Sequence, residues 1–168
     1  RVLLPQEIVE AHKEGLIHFH DSDFFAQKMS NCCLVNLKDM LENGTVITDT
    51  MIEKPHSFST ACNIATQIIA QVSSCQYGGQ TISLTHLAPF VDVSRKAIYK
   101  EVRAELKDAG VALSENGIQK MVHRRLMKEI RKGVQTIQYQ ILTIMTTNGQ
   151  TPFISVAMYL NETGEDEQ

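Results

Sequence analysis

Two adjacent thiols, Cys32-Cys33, are the residues of this 168-residue chain best suited to chemistry. A thiol acts as nucleophile, redox group or hydrogen donor, according to its surroundings. The pair lies in an apolar run, 29–37, that reads as a buried strand. Side chains alternate across a strand, so Cys32, Leu34 and Asn36 face one way and Cys33, Val35 and Leu37 the other. One thiol can then face a cavity while its neighbour packs. The plainer alternative is that both are small core hydrophobes, as buried cysteines often are.

A second group is His18-Phe19-His20-Asp21-Ser22-Asp23. In an extended segment His18 and His20 share a face, with two carboxylates close behind. The set suits orienting a polar substrate or holding a metal, or else a turn capped by Asp side chains. Two His and a carboxylate are too few for a metal site, and the 4 Cys fall in no CxxC frame, so no metal is expected. Thr60, Asn63 and Gln67 are spaced by 3 and 4, which puts a polar strip on one face of an otherwise apolar helix. Such a strip is a ligand or partner face, or is simply solvated. Gln76-Tyr77-Gly78-Gly79 lacks the Lys of a phosphate loop and reads as a helix stop. Thr147 to Phe153 reads as turn chemistry.

These residues need elements to hold them. A short helix is expected over 6–14, opened by Pro5 and stopped by Gly15. Residues 16–20 alternate as a short strand or extended loop, and 45–52 form a second extended piece after the Asn43-Gly44 turn. Ser57 caps a helix whose buried stripe is Phe58, Ala61, Ala65, Ile68 and Val72. Another helix spans about 87–107. Ser114 opens a long one with the stripe Ile118, Val122, Leu126, Ile130, Val134, Ile137, Ile141 and Met145. Gly133 inside it costs about 1 kcal/mol relative to Ala. Residues 153–160 read as a strand buried on both faces. The fold class is therefore helix-rich α/β. Its strands are too few to close a barrel.

The composition is that of an ordinary globular domain: 43% hydrophobic, 21% charged, net charge −3. No apolar run is long enough to span a bilayer, and the cysteines read as reduced thiols of a cytoplasmic protein. Charge is uneven. Residues 95–132 hold eleven of the sixteen basic groups and five acids, a local +6 against −9 elsewhere. Glu101 and Glu105 among the bases, and few aromatics between them, favour solvated helix faces over nucleic-acid binding.

Five strings in order carry a resemblance: Gly15-Leu16-Ile17-His18-Phe19-His20-Asp21; Asn31-Cys32-Cys33-Leu34-Val35-Asn36-Leu37; Ile52-Glu53-Lys54-Pro55-His56-Ser57; Gln76-Tyr77-Gly78-Gly79; and Asn148-Gly149-Gln150-Thr151-Pro152-Phe153. Together they resemble the catalytic subunit of anaerobic (class III) ribonucleoside-triphosphate reductases. The resemblance implies a glycyl-radical enzyme that converts ribonucleoside triphosphates to deoxyribonucleotides. It implies part of a ten-stranded α/β barrel: 1–161 would be its N-terminal part, with effector and dimer helices over about 56–145. The acidic composition of 162–168 reads as a disordered tail. Cys32 matches the thiol that reduces the 2′ position, with Cys33 structural. His18, His20 and Asn31 match substrate-pocket residues.

Glu53, His56, Gln67 and Lys100 match a nucleoside triphosphate effector site at a homodimer interface, with Lys96 as a competitor for Lys100. The family's glycyl radical, its finger-loop thiol and its zinc cysteines would lie outside these residues. A radical-SAM iron–sulfur protein would install the radical. The resemblance implies no membrane and no nucleic-acid partner, and a segment inactive alone. A non-catalytic helical nucleotide-binding or dimerisation module, with all cysteines in the core, is the alternative. A nucleic-acid-binding helical protein is a third reading.

Overall fold

A computed structural model describes residues 4–19, 32–75, 78–145 and 151–158. His20, Asn31, 147–150 and the tail 162–168 lie outside the described residues. The chain divides into two compact units, Arg1–Ser30 and Asn31–Gln168.

In the first unit α1 spans Gln6–Lys13 behind Pro5, whose φ of −53° is already helical. It stops at Gly15 (φ +74°), as expected. Residues 16–19 form no strand; they are a loop that folds back on α1.

The second unit is built on a parallel three-stranded sheet in the order β1-β4-β5. β1 is Cys33–Leu34, β4 is Gln80–Ser83 and β5 is Ile154–Ala157. The registers align Cys33, Gln80 and Ile154 in one row and Leu34, Thr81 and Ser155 in the next. β1 is much shorter than the run 29–37 suggested. Asn36 ends it by accepting the Asp39 N–H, and this cap opens α2, Leu37–Glu42. The piece 45–52 is not one strand but a hairpin of β2, Thr45–Ile47, and β3, Thr50–Ile52. Its turn puts Thr48 (φ 50°) and Asp49 (φ 62°) in the left-handed region, the primed turn that hairpins prefer.

α3, Phe58–Cys75, is the centre of the core. Phe58, Ala61, Cys62, Ala65, Ile68 and Ile69 are buried on it, with Leu37 and Leu41 of α2 and Ile82 of β4 packed around them. A 3₁₀ turn, Leu84–Leu87, leads from β4 into α4, Ala88–Asp108. α5, Glu115–Thr143, starts at Ser114, which accepts the Gly117 N–H. A second cluster, Ile98 and Val102 against Ile118, Val122 and Leu126, zips α4 to α5. Of the expected α5 stripe, Val134 is 53% exposed and Met145 lies past the helix end, 80% exposed. The 3.6-residue period rotates the stripe, and Gly133 takes the inward place of Val134.

Gly133 is thus a packing residue. A Cβ there would stand 2.6 Å from Phe58 Cε1 and 2.8 Å from Cys62 Sγ. Four residues earlier on the same face, Glu129 completes the N-terminus of α3. Glu129 Oε1 accepts the Ser59 N–H (3.0 Å) and the Ser94 hydroxyl (2.8 Å), and Ser94 Oγ accepts the Phe58 N–H (2.8 Å). Ser57 Oγ accepts the Thr60 N–H (3.1 Å), as its expected cap role requires. Three helices are therefore tied at one carboxylate, which also complements the positive end of α3. Glu129→Ala leaves the Ser59 amide and the buried Ser94 hydroxyl without their acceptor. It is expected to cost about 1–3 kcal/mol, with Glu129→Gln losing less. Urea unfolding measures this, and an unmoved midpoint in Glu129→Ala would contradict the role assigned to the network.

β5 differs most from expectation. Phe153 (77% exposed), Val156 and Met158 are open to solvent, so 153–158 is not buried on both faces. β5 is an edge strand, and of its apolar side chains Ile154 is the one that packs against the core.

Candidate functional site

Cys32 stands at the entrance of β1. The Cys33 N–H bonds to Gly79 O (3.1 Å) and the Val35 N–H to Thr81 O (2.9 Å), which locks β1 onto β4 and fixes the alternation. Cys32, Leu34 (83% exposed) and Asn36 form the open face. Cys33 packs against the core, and Val35 and Leu37 are buried with it. The two thiols therefore have opposite surroundings. Burial, and secondly the neighbouring Cys32, push the Cys33 thiol up. Cys62 is fully enclosed; burial and then the nearby Glu129 carboxylate push it up to about 12, which keeps it a protonated, inert thiol at neutral pH. Cys75 is exposed at the end of α3, so it is no core residue.

The row before Cys33, Gln80 and Ile154 holds Cys32, Gly79 and Phe153. A Cβ on Gly79 would stand 3.3 Å from Phe153 Cδ1, so the missing side chain leaves room for the ring. Sequence reasoning took Gly78-Gly79 as a helix stop. In fact α3 ends at Cys75, and Gly79 leads into the unforeseen strand β4. Neither Gly79 nor Phe153 was expected beside Cys32. The signal lay in the strings themselves, because three of the five converge on this one row. Behind it, buried Gln80 donates to Ile69 O (3.0 Å) and Ser73 Oγ (2.5 Å) and so anchors β4 to α3.

The exposures predict an order of alkylation. Cys32 and Cys75 should react with a maleimide first, Cys33 more slowly, and Cys62 only on unfolding. Mapping the labelled peptides by mass spectrometry checks this. Labelling of Cys62 before Cys32 in the folded chain would contradict the assignment of faces.

His18 is exposed in the first unit and His20 is not described. The Phe19 N–H donates to His12 Nδ1 (3.0 Å), and the His12 and His18 ring centroids are 5.5 Å apart. In the second unit Glu53 and His56 are exposed together in the link from β3 to α3. Gln67 is exposed on α3, nine residues past Phe58 or about 14 Å along the axis, in line with exposed Thr60 and Asn63. Lys100 is exposed on the half of α4 that packs against α5 rather than α3. So Glu53 and His56 share the link before α3, Gln67 lies about two and a half turns along α3, and Lys100 lies on α4.

Of the two candidate cations on α4, Lys96 is held by Asp92 (2.6 Å), whereas Lys100 makes no ion pair among the described residues. Elsewhere in the basic block Arg125 grips Glu105 with two bonds (2.8 and 2.7 Å), which hold that carboxyl below its usual range. Among the described residues no group of three or more His, Cys, Asp or Glu could hold a metal ion. No helix among them is long and apolar enough to cross a membrane.

Fold and site together define a parallel α/β layer that presents an accessible thiol at a strand entrance. Comparison with known proteins narrows that class. A family profile described as anaerobic ribonucleoside-triphosphate reductase matches residues 1–168. The chain belongs to the anaerobic ribonucleoside-triphosphate reductase family. It is 39% identical over 168 residues to the anaerobic ribonucleoside-triphosphate reductase of Escherichia coli (strain K12), with 97% of this chain and 22% of that relative covered. The reductase of the same name from Enterobacteria phage T4 is 37% identical over 157 residues, covering 92% of this chain and 25% of the relative. That of Haemophilus influenzae is 38% identical over 158 residues, covering 91% and 21%. The chain thus spans between about a fifth and a quarter of the length of these relatives.

Proposed function

We propose that this chain is the part of an anaerobic ribonucleoside-triphosphate reductase that presents the substrate-reducing thiol and the helices of the effector site. The observation that carries the reading is the row Cys32, Gly79 and Phe153. Three separated strings of the family resemblance meet there, around an exposed thiol on the uncovered face of a parallel sheet.

In this reading Cys32 gives hydrogen to the ribose 2′ carbon as the 2′ hydroxyl leaves as water. Its sulfur is left oxidised and is returned to the thiol by the enzyme's reductant. Cys33 only packs. His18, His20 and Asn31 orient the ribonucleoside triphosphate. Glu53, His56, Gln67 and Lys100 serve a nucleoside triphosphate effector. Because Gln67 lies about 14 Å along α3 from its start beside His56, a homodimer would complete that site from two copies. The glycyl radical, the radical-SAM activating protein that makes it, and structural zinc belong to parts of the reductase other than these residues. The enzyme is cytoplasmic. The non-catalytic alternative needs Cys32 in the core, and its exposure speaks against that.

An anaerobic assay tests the reading. A reductase polypeptide carrying this segment, activated and supplied with reductant, should form deoxyribonucleoside triphosphates, and the 168 residues alone should not. Turnover by the isolated segment, or none by the activated whole, would refute it.

A further inference from the structure

We propose that His12 is a positioning residue that sets the candidate substrate side chain His18. This rests on the reading of His18 as a substrate-pocket residue. The end of α1 is already closed by backbone bonds, among them the Gly15 N–H to His12 O (3.2 Å), without the His12 side chain. The Glu14 N–H bonds to Glu10 O (2.9 Å), and the Leu16 and Ile17 N–H groups both reach Ala11 O (2.9 and 3.3 Å) across Gly15. These backbone bonds turn the chain and hold the first half of the return loop. The bond from the Phe19 N–H to His12 Nδ1, at 3.0 Å, does something else. It ties the side chain of the last α1 turn to the peptide plane directly after His18.

That plane sets the direction in which the His18 side chain leaves the backbone. The two rings also sit 5.5 Å apart between centroids, tilted by 42°, so His12 limits the ring itself. His18 stays exposed. An Nδ1 that accepts an N–H places the ring proton of His12 on Nε2. His12 therefore works as a neutral acceptor with one tautomer, and a group that offers an acceptor at the same distance from the backbone can replace it. Asn does so, since its Oδ1 takes the place of Nδ1. Gln does not, since its polar end falls near Nε2. Misplacement of a binding group by a fraction of an ångström to about 1 Å is enough to lower affinity markedly.

The test uses the complete activated reductase. His12→Ala and His12→Gln should raise KM for the ribonucleoside triphosphate about tenfold with a smaller change in kcat, and His12→Asn should restore it. His18→Ala should raise KM as well, and the His12→Ala/His18→Ala double variant should be no worse than His18→Ala, because His12 acts only through His18. Additive effects in the double variant, or no KM change in His12→Ala beside a clear one in His18→Ala, would overturn the proposal. If His18→Ala itself leaves KM unchanged, the substrate-pocket reading fails. The positioning claim is then decided by ¹⁵N NMR of the ring nitrogens and by Phe19 amide exchange. Nε2–H tautomer in His12, with Phe19 exchange accelerated in His12→Ala and restored in His12→Asn, supports it; unchanged exchange overturns it.

Discussion

Cys32→Ser in the reductase should abolish deoxyribonucleotide formation, by at least about a thousandfold, while substrate still binds. The size follows from the chemistry. Serine keeps the shape of the side chain, but its O–H bond is far stronger than a thiol S–H and its oxygen is not cycled by a reductant. Among the described residues neither Cys33 nor Cys62 stands in for it. Cys33 is on the opposite face of β1, packed against the core and pushed towards the protonated thiol by burial, and Cys62 is sealed between α3 and α5. Cys33→Ser is therefore the informative comparison. It should keep turnover within about tenfold and cost about 1 kcal/mol of stability, because it buries a hydroxyl where a thiol packed. Single-turnover product analysis measures the first effect and urea unfolding the second. Equal loss of turnover in both variants would mean that the strand, rather than one thiol, was being read.

Gly133→Val should damage the fold severely although it leaves every core side chain in place. In an isolated helix valine is better than glycine by a few tenths of a kcal/mol. Here a Cβ would overlap both Phe58 (2.6 Å) and Cys62 (2.8 Å), and valine adds two methyls beyond it. Neither neighbour has room to yield, since both are buried at the centre of the core. The helices must part, and the contact of Glu129 with the α3 N-terminus is strained with them. Overpacking of this kind costs about 3 kcal/mol. For a chain of this size that is roughly 6–12 °C in Tm. Gly117→Ala is the control. Its Cβ would meet only ordinary contacts of 3.5 Å or more, so the helix preference for Ala should leave Tm level or slightly raised. A Gly133→Val protein as stable as the parent would show that α3 and α5 are not packed this closely.

The contrast between these two glycines shows what was legible in the sequence. Several local signals point to what forms, although the Asn36 cap that opens α2 and the Thr48–Asp49 hairpin turn are equally local and go unread. Ser57 and Ser114 cap their helices, Gly15 stops α1, and the apolar stripe of α3 is its buried face. The alternation that separates Cys32 from Cys33 also follows from strand geometry alone. What the chain hides is what depends on a partner far along it. Gly133 looks like a weak point in a helix until Phe58, 75 positions away, lies against it.

Gly79 looks like punctuation until Phe153 arrives from β5. Val134 and Val156 look like core residues because periodicity reports only which face is apolar, and nothing in it reports whether that face is covered. β4 was missed because a four-residue strand with Gln, Thr and Ser has no apolar pattern. It is buried for its central place between β1 and β5. The effector candidates show the same limit: Lys100 is exposed on the stretch of α4 whose buried side chains, Ile98 and Val102, pack on α5, a placement that no spacing in the sequence announces.

The most direct measurement of the central claim is a structure of the complete reductase with a ribonucleoside triphosphate bound. The account predicts Cys32 Sγ within about 3.5 Å of the ribose C2′ or its hydroxyl, the separation at which reacting groups meet. It also predicts Cys33 turned away on the other side of β1. A ribose bound on any other face, or one approached by Cys33 while Cys32 points elsewhere, would contradict it.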